Sequence, residues 1–262
     1  MTQLGFAPSV SPLRVDGVHL AFGGLKALDG VTFEVASGMV TGLIGPNGAG
    51  KTTMFNVISG LHRAQSGQIS FEGARIDAEP PHCITRRGLV RTFQIARGFP
   101  RLSVFEHLMV YGANQPGERF LGALFGSPAA RQREAALAEQ ALAIAARLRL
   151  SQVIDNRVTD LSGGQKKLLE IGRALMCAPR MILFDEPAAG VNPSLAEEIG
   201  DQLLGLAADG LTVLLIEHDM ALIERICQRV IVMAQGRTLA EGSFDDVRGN
   251  REVQDAYLGG RR

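Results

Sequence analysis

The chain has no tryptophan, only three cysteines, no surplus of either charge and no long apolar run. Cys83, Cys177 and Cys227 lie far apart, with no Cys-x-x-Cys pair among them. That excludes a disulfide scaffold and a cysteine zinc site, and it suits a reducing compartment. The 27 basic residues balance 27 acidic ones. A broad polyanion-binding surface needs a basic excess, so nucleic acid is not an expected partner. No apolar run approaches the ~18 residues that cross a bilayer. Met181–Phe184 and Thr212–Ile216 are far too short and read as buried strands. Residues 1–12 carry neither a basic nor an apolar segment, so they read as a loose leader and not as a signal peptide. Work at a membrane would therefore need a partner that spans it.

The hydrophobic share of 46% supports a sizeable core, and 262 residues suit one large α/β domain or two small ones. Order is expected from Leu13 onward, over 13–262. Strands are predicted at Leu13–Ala21, Val31–Val35, Val40–Ile44, Gly67–Phe71, Met181–Phe184 and Thr212–Ile216. A hairpin is predicted from Arg229–Ala234 and Thr238–Glu241, turning at Gln235-Gly236. Helices are predicted at Lys51–Ser59, Lys166–Met176 and Pro193–Ala208. Between Ser127 and Leu150, Leu137, Ala141, Ile144 and Leu148 recur at helical spacing. Gly112–Ser127 reads as a loop excursion. The pattern is an α/β core with a helical insertion at about 95–178.

The strongest local signal is Gly45-Pro46-Asn47-Gly48-Ala49-Gly50-Lys51-Thr52, a complete G-x-x-x-x-G-K-[ST] phosphate loop. An apolar strand precedes it and a helix follows. Glycines let the backbone curl so that N–H groups converge on phosphates, and the helix adds its positive end. Lys51 is expected at the β- and γ-phosphates, and Thr52 at Mg²⁺, with Thr53 beside it. Met181–Phe184 then runs into Asp185-Glu186. A buried strand ending in a carboxylate places Asp185 near the metal, and Glu186 becomes the candidate base for an attacking water. Leu161-Ser162-Gly163-Gly164-Gln165 precedes a helix and forms a second anion-seeking N-terminus. The two elements serve either one nucleotide or facing halves of a dimer; the spacing does not choose.

Together, Gly45–Thr53, Gln94, Leu161–Gln165, Asp185-Glu186 and His218 resemble the ATP-binding domain of ABC transporters, over about Leu13 to Leu258. The resemblance implies an α/β P-loop NTPase with a RecA-like core, an antiparallel β subdomain and an inserted helical subdomain. It implies ATP and Mg²⁺, and a head-to-tail dimer of two copies or of this chain with a paralogous ATPase. Ser162, Gly163, Gly164 and Gln165 of one protomer would then face the other's nucleotide. Gln94 matches the family's metal- and γ-phosphate-sensing glutamine. His218 matches its switch histidine, which touches the γ-phosphate; it is a positioning residue, and Glu186 holds the role of base. Phe22 sits where the family stacks an aromatic on adenine, a contact worth ~1–3 kcal/mol. Ala189-Gly190-Val191-Asn192 matches the loop after the acidic pair, with Asn192 where many relatives carry Asp.

Finer details resemble the ATPases of branched-chain amino acid importers. They include Phe22–Leu25, Phe55–Gly60, Arg91-Thr92-Phe93-Gln94, Glu186–Pro193, Glu217–Met220 and Ala256–Gly259. The ATPase of lipopolysaccharide export shares the overall pattern but is shorter in the middle. DNA-maintenance ATPases insert long coiled coils where this chain has only the stretch from Gln94 to Leu161. The importer resemblance implies a peripheral subunit on the cytoplasmic face of the cell membrane. It implies transmembrane permease subunits as direct partners and a periplasmic or extracellular substrate-binding protein as an indirect one. The permease would dock near Gln94 to Phe105. Arg86, Arg87, Arg91, Arg97 and Arg101 cluster before and within that stretch, either to meet acidic loop residues or lipid head groups or as solvated charges on helix faces.

Overall fold

The fold is that of a computed structural model, which describes residues 11–92, 99–113 and 128–258. In chain order the elements begin with β1 (Leu13–Phe22), β2 (Leu25–Val35), β3 (Val40–Ile44), α1 (Lys51–Ile58), β4 (Ser66–Phe71), β5 (Ala74–Arg75), α2 (Pro81–Arg86) and β6 (Leu89–Arg91). Next come α3 (Val104–Val110), α4 (Pro128–Arg147), α5 (Gly163–Met176), β7 (Met181–Asp185) and α6 (Pro193–Ala208). The chain then runs through β8 (Thr212–Ile216), α7 (Met220–Ile226), β9 (Arg229–Ala234), β10 (Arg237–Gly242), α8 (Phe244–Gly249) and α9 (Arg251–Leu258). Contacts divide the chain into two compact units. Segments Met1–Arg91, Arg180–Ala189 and Ala196–Arg262 form the first; Thr92–Pro179 and Gly190–Leu195 form the second.

The first unit holds both sheets. The smaller is antiparallel, in the order β2-β1-β4-β5. Leu13, Val15, Val18 and Leu20 of β1 are buried, the alternation being displaced by the register shift around Gly17. The larger sheet runs β10-β9-β3-β8-β7-β6. Its strands are parallel except β10, which returns from β9 through Gln235-Gly236, both at positive φ. Every residue of β3 and of β8 is buried. Strands buried along their whole length belong to parallel sheets covered on both faces. Phe33, Phe55, Phe71, Leu43 and Leu183 join the two sheets and α1 in one core.

In the second unit, α3, α4 and α5 pack through Leu108, Leu137, Leu148, Leu168 and Leu169, all buried. Gly172 on α5 makes this possible, because a Cβ there would lie 2.9 Å from Leu108 and 3.1 Å from Leu148.

The predicted elements are present, with shifted ends. β2 starts at Leu25 and not at Val31, because Leu25–Gly30 pairs with β1 despite its polar residues. α5 starts at Gly163 and not at Lys166, with Ser162 as its cap. α4 ends at Arg147, and Arg149 turns the chain with φ +55°. Most of the predicted excursion at Gly112–Ser127 lies outside the described residues.

Candidate functional site

Strand β3 ends at Ile44, and the chain turns at once. Gly45 has φ +148°, and a Cβ there would stand 2.0 Å from the carbonyl oxygen of Met233. Gly50 has φ +99°, with a Cβ 2.5 Å from the carbonyl oxygen of Ala27. Only glycine fits either position, so the loop winds tightly between β2 and β9. Ala49 is buried, Asn47 and Gly48 are exposed, and the Ala49 N–H donates to the carbonyl of Pro46 at 3.2 Å.

Helix α1 begins on Gly50 with no side-chain cap and no acid in its first turn. By contrast, Ser103, Ser162, Asp219 and Ser243 cap α3, α5, α7 and α8. Leading N–H groups without a side-chain cap and the positive helix end suit an anion. Lys51 is 6% exposed, and its ammonium donates to the carbonyls of Gly45 at 2.7 Å and Pro46 at 3.1 Å. Burial pulls its pKa down, while Glu186 and Asp185 oppose that fall. Thr52 is exposed and Thr53 partly so.

Strands β7 and β8 deliver the acids to the same edge, the carboxyl edge of the parallel strands, where such folds bind ligands. Asp185 pairs in register with Ile216. Glu186 follows at φ +51°, its N–H donating to the Ile216 carbonyl at 2.9 Å. This left-handed turn is uncommon for a non-glycine residue and swings the Glu186 side chain out of the strand's alternation. His218 Nε2 and Glu186 Oε1 share a hydrogen bond of 2.7 Å.

Three features escaped the sequence. Glu217 is 4% exposed and accepts the N–H of Ala188 at 2.8 Å and of His218 at 3.2 Å. Burial pushes its pKa up, and those two amides pull against it. Glu217 thus braces the turn after Glu186 from beneath. Asp219 caps α7 by accepting from Ala221 and Leu222; an Asp before an apolar helical run was a usable signal. The third feature corrects an expectation. Arg91 is neither a solvated charge nor a docking group: its side chain is 7% exposed and bonds Asp185 Oδ2 at 2.8 Å. Arg87 meanwhile pairs with Glu79; Arg97 lies outside the described residues.

Phe22 is 47% exposed, so it is no core residue, and its ring meets His62 edge-on at 5.4 Å. Gln94 lies outside the described residues. In the second unit, Ser162 Oγ accepts the N–H of Gln165 at 3.2 Å, and Gln165 Oε1 accepts the N–H of Ser162 at 2.9 Å. The reciprocal bonds hold the start of α5 rigid. Gly163 is exposed with open space around it, whereas a Cβ on Gly164 would strike Leu195 at 2.4 Å. The two glycines therefore differ: one leaves a backbone face accessible, the other lets Leu195 close in.

The donor set suits Mg²⁺. The Thr52 hydroxyl and the Asp185 carboxylate are hard oxygen donors of the kind Mg²⁺ takes, and such a pair would leave its other places to phosphate oxygens and water.

A tight phosphate loop, a helix with no side-chain cap and an acidic pair at one sheet edge define a nucleotide-binding α/β protein. The comparisons narrow the class. The chain belongs to the ABC transporter family, whose pattern matches residues 28–189. Residues 237–262 match a second family, described as branched-chain amino acid ATP-binding cassette transporter. As a member, the chain is an ATP-binding cassette, the ATPase component of an ABC transporter. It is 40% identical over 248 residues to the Pseudomonas aeruginosa high-affinity branched-chain amino acid transport ATP-binding protein BraF, covering 94% of this chain and 97% of that one. It is 42% identical over 251 residues to the Methanocaldococcus jannaschii probable branched-chain amino acid transport ATP-binding protein LivG, covering 94% and 97%. A nucleotide-free ATP-binding cassette from an ABC transporter superposes with TM-score 0.82 at 40% identity, covering 95% of this chain and 99% of that one. The ADP conformation of an ATP-binding cassette superposes with TM-score 0.82 at 38% identity, covering 96% and 100%.

Proposed function

We propose that this chain hydrolyses ATP to drive uptake of branched-chain or related amino acids through transmembrane permease subunits, from the cytoplasmic face of the cell membrane. The observation that carries the reading is the α1 N-terminus, with no side-chain cap and with Lys51 within electrostatic reach of Glu186 and Asp185. The names of the relatives supply the substrate class. A substrate-binding protein outside the membrane delivers the amino acid to the permease and does not touch this subunit.

In this reading the N–H groups of Gly45–Thr53 and the Lys51 ammonium bind the ATP phosphates, and Lys51 exchanges its two loop carbonyls for phosphate oxygens. Phe22 offers its exposed face to adenine. Thr52 and Asp185, with Gln94, would hold Mg²⁺, which supplies charge neutralisation at the phosphates when bound. Glu186 orients a water on the γ-phosphorus and takes its proton; the bond to the bridging oxygen breaks, and ADP and phosphate leave. His218, already on Glu186, holds that carboxylate in place. Two protomers, identical or paralogous, meet head to tail. Ser162, Gly163, Gly164 and Gln165 of each then complete the other's site, with Ser162 positioned by the capping bonds to Gln165.

The test is reconstitution. The chain, co-purified with its permease in proteoliposomes, is expected to couple ATP hydrolysis to uptake of leucine, isoleucine or valine in the presence of the binding protein. ATP turnover that no branched-chain, aromatic or amide substrate stimulates would contradict the transport assignment.

A further inference from the structure

Arg91 ends β6, three residues before Gln94, and its guanidinium bridges two other parts of the site. Nη2 donates to Asp185 Oδ2 at 2.8 Å. Nη1 donates to Asn56 Oδ1 at 2.6 Å and to Ser59 Oγ at 3.4 Å. The guanidinium carbon lies 5.6 Å from the centre of the Phe55 ring. Asn56, Phe55 and Ser59 belong to α1 or its cap, the helix that begins at Lys51. Arg91 itself pairs with Leu183, two residues before Asp185.

One buried side chain thus joins the strand leading to Gln94, the strand ending in Asp185 and the helix that follows the phosphate loop. A flat guanidinium with several fixed donors suits that geometry; an ammonium offers a point charge without the fork. We propose that Arg91 is a positioning residue for the metal site: it holds Oδ2 of Asp185 and so presents Oδ1 as the oxygen that serves Mg²⁺. The inference rests on the reading of Asp185 as the carboxylate facing the nucleotide's metal. It adds a residue that neither the phosphate loop nor the acidic pair contains. Partners that orient a metal-ligating carboxylate typically change metal affinity by about 10- to 100-fold when lost.

The experiment uses the full-length purified chain and the non-hydrolysable nucleotide AMP-PNP. Nucleotide affinity is measured in EDTA, and the half-saturating Mg²⁺ concentration is measured in a titration. Arg91→Gln is expected to raise that concentration about tenfold and to leave the EDTA affinity unchanged. Arg91→Lys should fall between, and it carries the test if the glutamine variant does not fold. Asp185→Asn should also raise the Mg²⁺ requirement, and Arg91→Gln should then add nothing further, because the two act through one carboxylate. A Mg²⁺ curve for the Arg91 variants that overlays the unmodified protein, while Asp185→Asn shifts it, overturns the inference alone. Equal losses with and without Mg²⁺, or fully additive effects, also overturn it by marking Arg91 as purely structural. An unshifted Asp185→Asn overturns the underlying reading of Asp185 as well.

Discussion

Replacing Gly45 with alanine places a methyl carbon 2.0 Å from the carbonyl oxygen of Met233, at φ +148°. The obstacle is backbone of β9, hydrogen-bonded on both sides by β3 and β10, so it cannot swing aside as a side chain would. The backbone strain costs about 1–3 kcal/mol, and forcing the overlap apart costs about 1–3 kcal/mol more. A total of about 2–6 kcal/mol is a large part of a domain's usual ~5–15 kcal/mol of stability. For a chain of this size it lowers Tm by roughly 5–20 °C. Gly48 supplies the control. It also has positive φ, +80°, but a Cβ there meets nothing within 4 Å. Gly48→Ala should cost only about 1 kcal/mol, because strain is partly offset by lost freedom in the unfolded chain. Thermal unfolding without nucleotide measures both variants. Equal shifts, or a larger shift for Gly48→Ala, would refute the claim that the loop is shaped by its approach to β9.

Other consequences concern single groups. Lys51→Ala should weaken ATP binding by about 10- to 100-fold, the loss of one or two charge-assisted hydrogen bonds; isothermal titration showing unchanged affinity contradicts the loop assignment. Glu217→Ala leaves the partly buried N–H groups of Ala188 and His218 without their carboxylate acceptor and should destabilise the fold by about 1–3 kcal/mol, read by urea unfolding. Glu217 also predicts a pH trend. Its folded pKa is raised, so the folded state binds the proton more tightly than the unfolded one. Its contribution to stability therefore falls as pH rises from the ordinary glutamate range through the raised value. The protein should lose stability relative to Glu217→Gln across that window, and a constant difference would contradict the burial argument. Ser162→Arg should leave single-site nucleotide binding intact and abolish turnover; full hydrolysis in the purified variant would show that Ser162 faces no second nucleotide.

The phosphate loop, the acidic pair and the Leu161–Gln165 segment were legible because each is a local pattern of fixed spacing. The core strands were legible because β3, β7 and β8 are short, mostly apolar runs between turns. What stayed hidden depends on distant partners. Arg91 and Asp185 are far apart in sequence, and only the pairing of β6 with β7 brings them together. Glu217 reads as an ordinary polar residue until β8 buries it beneath the Glu186 turn. β2 looked shorter because Lys26 and Asp29 interrupt its apolar pattern, yet its first half pairs with β1 all the same. α3 was overlooked although Ser103 and Glu106 carry a capping box, a local signal that was available.

The central claim is that Glu186, set in its left-handed turn and held by His218, activates the water that cleaves ATP gripped by the Lys51 loop. Glu186→Gln isolates it. The purified variant, given Mg-ATP and passed over a sizing column, should retain uncleaved ATP and elute as a dimer, with phosphate release reduced at least about 100-fold. Phosphate release at the unmodified rate from that variant would contradict the account.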